Sequence, residues 1–347
     1  MNTKTEGVAE SLPDKASLLD IYTRAVLIKA NDERIRAAAR AGKMNMIYYS
    51  PRGQEIIPSA ISVHLTNADY ITTIYRGIHD QLAKGVPAKL IWAEYAGRST
   101  GSCKGKGGPM HITYPDVGVL VTTGIVGSSM PIANGLALAS QLRGDGRVTV
   151  AYFGDGAANI GAFHESLNLA AVWKLPVIFV CQNNRYAEHS QFEKFTAGGN
   201  VSNRAAGFGM PGIRVDGNDP VAMWRVAKTA VDRARSGEGP TLIEALTFRF
   251  HGHLLGDDGS YIPPAEMAAA RAADPMPRFR TLLLTQHAAD EAALRDIELA
   301  ADRAALDAQE FALSSPWPRT SELQTDVFGG PSSIPTIKVF SRPSVAP

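Results

Sequence analysis

The sequence predicts an α/β protein: a parallel sheet with helices on both faces, extended by helical regions at its amino and carboxy ends. Three observations predict it. Short apolar runs at 148–153 (VTVAYF), 177–181 (VIFVC) and 241–250 have the length of strands. The run 177–181 is apolar throughout, as in a strand covered on both faces. Stretches of helical spacing at 163–173 and 221–235 lie between them, which implies right-handed crossovers and parallel neighbours.

Taken in order, residues 1–16 read as a loose leader. Residues 17–40 have helical spacing, with Leu19, Tyr22, Val26 and Ile35 apolar and charges between them, and Gly42 stops the helix. A second helical stretch, 86–98, runs into a glycine-rich loop at 97–109. Such a loop is not held by its own side chains, so it is expected to lie on a ligand or a partner chain. From Gly124 onward, helix and short apolar run alternate. The first helix of that part, 130–142, is small and apolar and suited to close packing. The alanine-rich stretch 265–313 reads as a helical region ending at Ser314-Ser315-Pro316. The expected organisation is one domain over 17–320, with a tail at 321–347.

The 347 residues carry 35 basic and 34 acidic side chains and are 45% apolar. With charge so nearly balanced and no patch of one sign, neither nucleic acid nor an anionic membrane is the expected partner. Two cysteines, Cys103 and Cys181, make no disulfide framework. The polar first 15 residues read as neither a secretory signal nor a transit peptide. No apolar run approaches the roughly 20 residues that span a bilayer. A soluble, cytoplasmic protein is expected.

The chemistry concentrates after two strands. Asp155, in Gly154-Asp155-Gly156, follows the run 148–153, and Asn184 follows the run 177–181. The offset matches one strand–helix–strand unit. If those strands are neighbours, roughly 5 Å apart, the two side chains converge beyond the carboxyl ends, where open parallel sheets bind ligands. A carboxylate and an amide oxygen are hard ligands suited to Mg²⁺, which keeps few protein ligands and adds phosphate oxygens. Glycines flanking Asp155 let backbone amides approach a diphosphate. Gly-Asp-Gly alone is more often a plain turn, and Asn-Asn alone a plain loop. Both at strand ends, at this spacing, favour the ligand site.

The stretch GDGAANIGAFHESLNLAAVWKLPVIFVCQNNRYA resembles the thiamine diphosphate motif of the alpha subunits of 2-oxo-acid dehydrogenase complexes, of the pyruvate and acetoin dehydrogenase type. The resemblance runs from about Asn45 onward. It includes YRG at 75–77, GSCKGKGGPMH at 101–111, GIVGSSMPIANG at 124–135, PGIRVDGNDP at 211–220 and FRFHGH at 248–253. It implies the thiamine diphosphate-binding fold. It also implies Mg²⁺ held by Asp155, Asn184 and the Tyr186 carbonyl, and a diphosphate held by Gly156, Ala157, Tyr75 and Arg76. The backbones of Gly124 and Val126 would hold the aminopyrimidine ring. His253 would be an active-site residue on a loop over the cofactor, where imidazole suits proton traffic.

The resemblance further implies a separate beta subunit in an alpha-two beta-two heterotetramer, because the glutamate that activates the pyrimidine lies there. A lipoyl-bearing acyltransferase would be the acceptor. The implied reaction cleaves a 2-oxo acid or acetoin and passes the acyl unit to lipoamide. Alternatives are a partnered transketolase-like half that does not use lipoamide, and a non-catalytic cofactor-binding subunit.

Three positions depart from the mitochondrial pyruvate type. Leu254 stands where that enzyme has a phosphorylated serine, so control by that phosphorylation is not expected. Tyr49 stands where it has an active-site histidine. Ile78 stands where a histidine commonly follows the Tyr-Arg pair, with His79 one place later.

Overall fold

The computed structural model describes residues 12–286, 288–323 and 325–326. Among the described residues the strands are β1 (Tyr70–Ile74), β2 (Val119–Thr123), β3 (Thr149–Gly154), β4 (Val177–Asn183), β5 (Tyr186–Ala187), β6 (Ser190–Gln191), β7 (Gly212–Asp216) and β8 (Thr241–Leu246). Six of them form one parallel sheet in the order β2-β1-β3-β4-β8-β7, and β5 and β6 form a small antiparallel ribbon.

Side-chain alternation in the central strands feeds two cores. Val150 and Tyr152 of β3 and Ile178 and Val180 of β4 point to a core completed by the helices Lys15–Arg40, Ile56–Ser62 and Pro220–Arg235. Ala151, Phe153, Phe179 and Cys181 point to the opposite core, against the helices Ser129–Arg143 and Gly161–Trp173. Helices on both faces are therefore observed, as the apolar run 177–181 requires.

The first helix starts earlier than its apolar spacing suggests, because Asp14 caps it by accepting a 2.7 Å bond from the Ser17 amide. Of the expected 1–16 leader, residues 1–11 lie outside the described residues, and the last two are already helical. Most of the expected 321–347 tail also lies outside them. Residues 265–313 are three helices, Pro264–Ala272, Pro275–Thr285 and Glu291–Ser314. Asp274 with Pro275, and Asp290, restart the chain as caps. The last of the three packs on the first helix and on Ala88–Tyr95, so the two helical ends cover each other. Among the described residues no helix is long and apolar enough to cross a membrane.

Two expectations need correction. The run 241–250 leaves the sheet after Leu246: the Thr247 hydroxyl donates to Gly53 O, and the Phe250 amide bonds Arg52 O across the strand ends. The glycine-rich loop does not require a ligand or a second chain to hold it. Buried Glu94, on the preceding helix, accepts the amides of Cys103 and Gly105 at 2.8 and 2.9 Å on one oxygen. Its other oxygen accepts those of Gly107 and Gly108 at 2.7 and 3.0 Å. A Cβ on Gly101 would sit 2.3 Å from that carboxylate, so the glycine is what allows the close wrap.

Candidate active site

The sheet changes winding direction between β1 and β3, and the site lies beyond the carboxyl ends of the strands there. Tyr75 and Arg76 follow β1, Gly124 follows β2, Asp155 follows β3 and Asn184 follows β4. The β3–β4 register pairs Gly154 with Gln182, which places Asp155 beside the Asn183-Asn184 turn. Arg249 and His253 come in along the segment that leaves β8. All ten residues expected to bind cofactor or metal line one cavity of about 440 Å³: Tyr75, Arg76, Gly124, Val126, Asp155, Gly156, Ala157, Asn184, Tyr186 and His253.

Asp155 is 2% exposed, and among the described residues its Oδ2 has no hydrogen-bond partner. Burial raises its pKa to about 7, against the pull of the Arg249 and Arg76 charges and of backbone amides. A carboxylate so placed is a strong site for a cation or a proton. The ribbon packs directly over this turn, since a Cβ on Gly156 would lie 2.9 Å from the Ala187 methyl.

The Asn184 side chain is fixed by donating from Nδ2 to Gln54 Oε1 at 3.1 Å, while its Oδ1 accepts from the Tyr186 amide at 3.3 Å. Asn183 braces the same turn, with Nδ2 on Glu244 at 2.8 Å and Oδ1 accepting from the Arg185 amide. Arg185 sits at φ 72°, a left-handed conformation that turns the chain sharply toward Tyr186. Among the described residues no three His, Cys, Asp or Glu side chains cluster as metal ligands. The expected set differs in kind, being one carboxylate, one amide and one carbonyl.

Two buried guanidiniums face the cavity. Arg76 donates to Ser50 O at 2.8 Å and to His253 O at 2.9 Å. Arg249 donates to Tyr186 O at 3.2 Å, to the Tyr261 hydroxyl at 2.6 Å and to Glu188 O. Their hydrogen-bond partners are carbonyls, the Tyr261 hydroxyl and, for Arg76, His253 Nδ1 at 3.4 Å, and among the described residues neither guanidinium forms a hydrogen-bonded ion pair with a carboxylate. Burial and the neighbouring Arg249 lower the Arg76 pKa to about 10. Two cations held in place without counter-ions are prepared for a polyanion. Arg249 lies within a motif noted for its histidines, and nothing in its local sequence marks it as buried. It is 1% exposed because its guanidinium sits between the rings of Tyr186 and Tyr261, at 5.8 and 5.6 Å.

His253 is half-buried. Burial and the Arg76 and Arg249 charges push its pKa down to about 4, so its imidazole is neutral at pH 7. Asp257 anchors its loop by accepting the His253 amide and the Tyr261 hydroxyl, the latter at 2.8 Å. His79, beside Ile78, lies beneath the site rather than in it, bonded at 2.9 Å to buried Gln182. His164 packs edge-on against Phe163, a structural contact.

A family model described as the dehydrogenase E1 component matches residues 22–321. The chain is 39% identical over 326 residues to the alpha subunit of acetoin:2,6-dichlorophenolindophenol oxidoreductase of Bacillus subtilis (strain 168), covering 94% of this chain and 96% of that one. It is 38% identical over 332 residues to the subunit of the same name from Cupriavidus necator, covering 94% and 99%. It is 37% identical over 310 residues to the pyruvate dehydrogenase E1 component subunit alpha of Rhizobium meliloti, covering 89% of each.

Proposed function

The chain belongs to the dehydrogenase E1 component family, as an alpha subunit, and on that premise we propose that its cavity holds thiamine diphosphate through Mg²⁺ and serves cleavage of a 2-oxo acid or acetoin. The observation that carries this reading is the unpaired Asp155 carboxylate buried beside two guanidiniums that lack counter-ions. That donor set fits a diphosphate bridged by one hard cation.

Asp155 and the Asn184 amide oxygen hold the ion. The Tyr186 carbonyl keeps a second lone pair for it beside the Arg249 bond. Arg76 and Arg249 take phosphate oxygens, with Tyr75 beside them, and the amides of Gly156 and Ala157 close the cradle. The backbones of Gly124 and Val126 position the pyrimidine ring. Bound there, the cofactor supplies the carbanion-stabilising chemistry that C–C cleavage needs. His253 offers a neutral imidazole that donates or accepts one proton at the mouth of the cavity.

The partner is a beta subunit. Ile125 and Val126 beside the cavity are 71% and 49% exposed, and Leu142, Val172 and Trp173 lie open on the two helices behind it. Apolar exposure of this kind fits a subunit interface. The full assembly is an alpha-two beta-two heterotetramer in the cytoplasm, passing its acyl unit to a lipoyl-bearing acyltransferase. The test is calorimetry on the reconstituted pair: thiamine diphosphate is expected to bind only with Mg²⁺, and not at all to Asp155→Ala. Equal affinity for the variant would sink the assignment.

A further inference from the structure

Tyr49 contacts three residues of the site at once. Its ring centroid is 4.5 Å from that of Tyr75 and 5.2 Å from that of His253, and the Arg76 guanidinium carbon lies 5.7 Å over its face. With Ile74, Met110 and Val126 it forms an apolar part of the cavity wall.

The acidic and basic residues lining the cavity are Arg76, Arg249, Asp155, Glu188 and His253. Arg76 and Arg249 are committed to phosphate and Asp155 to the ion. Glu188 is itself an acid. His253 is neutral, because burial and the two guanidiniums hold its pKa near 4. Among the described residues that line the cavity, an anionic substrate group therefore meets no unassigned cation. It meets the aromatic and aliphatic side chains of Tyr49, Tyr75, Ile74, Met110 and Val126 instead, and a desolvated carboxylate without a partner is costly. A ketone or hydroxyl loses far less on entering the same space.

We propose that Tyr49 is a specificity-determining residue, and that the wall it builds selects an uncharged hydroxyketone or diketone over a 2-oxo acid. This inference rests on the cofactor reading given above. It names the substrate class for that same site.

The experiment uses the reconstituted alpha–beta enzyme with thiamine diphosphate, Mg²⁺ and a dye as electron acceptor. The kcat/KM values for acetoin and butane-2,3-dione are compared with those for pyruvate and 2-oxobutanoate. Wild type is expected to favour the uncharged pair by about tenfold or more. Tyr49→His is expected to move that ratio toward the acids by about tenfold, mainly through KM, while Tyr49→Phe keeps the preference. Should the histidine variant misfold, Tyr49→Asn carries the same expectation. A wild-type preference for the acids, or a ratio unmoved by both polar variants, overturns the proposal. Calorimetric binding of thiamine diphosphate is measured on the same samples. Its absence in wild type would defeat the cofactor reading instead, so the two failures are told apart.

Discussion

Glu94 and Asp155 are both buried carboxylates beside glycine-rich segments, at 0% and 2% exposure, yet they are opposite in kind. Glu94 accepts four backbone amides, two on each oxygen, and is satisfied entirely within the chain. Asp155 has an oxygen with no partner and a pKa pushed up to about 7 by burial. The first has the chemistry of an anchor, the second that of a binding site. Flanking glycines do not separate them, since both loops need close backbone approach. What separates them is whether the protein completes the hydrogen bonding of the buried charge.

The largest effect that would break this contrast is at Glu94. Replacing it by alanine leaves four amides of the loop without their acceptor, each costly if it stays buried. We expect a loss of about 3 kcal/mol or more of stability, measured by denaturant unfolding, with amide exchange accelerated over 101–108. If Glu94→Ala unfolds with the wild-type midpoint, the loop is held by something else. At Asp155 the pattern should reverse. Asp155→Asn is expected to cost at least about 100-fold in Mg²⁺-dependent cofactor affinity, or about 2.7 kcal/mol. The apo fold should be no less stable at pH 8, because a buried unpaired charge has been removed. A variant that both binds normally and unfolds early would invert the two roles.

Much of this was legible in the sequence, and the misses have physical causes. Strands β3, β4 and the first part of β8 announced themselves because a strand buried on both faces is apolar along most of its length. β1 (YITTI) and β2 (VLVTT) dilute that signal with threonines. The edge strand β7 (GIRVD) buries only Val215, so no period marks it. The candidate site was readable because its expected residues follow strand ends directly. Arg249 was not, since its burial depends on Tyr186 and Tyr261, which lie 63 and 12 residues away in sequence. Glu94 was not either, because a single glutamate on a helix looks like any solvated one until the loop is seen to wrap it.

A smaller effect sharpens the contrast through protons. The Asp155 carboxyl must be ionised to hold a cation, and its pKa near 7 lies inside the accessible range. Below about pH 7 each ion bound displaces a proton, so apparent Mg²⁺ affinity should fall by about tenfold per pH unit. Above pH 7 it should level off. Calorimetry in buffers of different ionisation enthalpy would count the proton directly. An affinity that stays flat from pH 8 to 6 would mean the carboxyl titrates lower than its burial implies.

The smallest effect concerns the empty fold, and its sign follows from the direction of the shift. A carboxyl whose pKa rises from 3.8 unfolded to about 7 folded binds more protons when folded, throughout the interval between them. Its contribution to stability is fully present below pH 3.8 and is lost as pH rises through 7. Histidines work the other way: His64, His251 and His253 are all pulled down to about 4, chiefly by burial, so they cost stability as pH falls below 6.5. A single pH profile of wild type therefore mixes opposing terms. The difference between wild type and Asp155→Asn removes the histidines, which both proteins share. In cation-free buffer that difference should favour the variant most above pH 7 and shrink by about 1.4 kcal/mol per pH unit below it. With Mg²⁺ and cofactor present, wild type should gain stability most above pH 7 and progressively less below it, while the variant does not, because only the ionised carboxylate binds the cation.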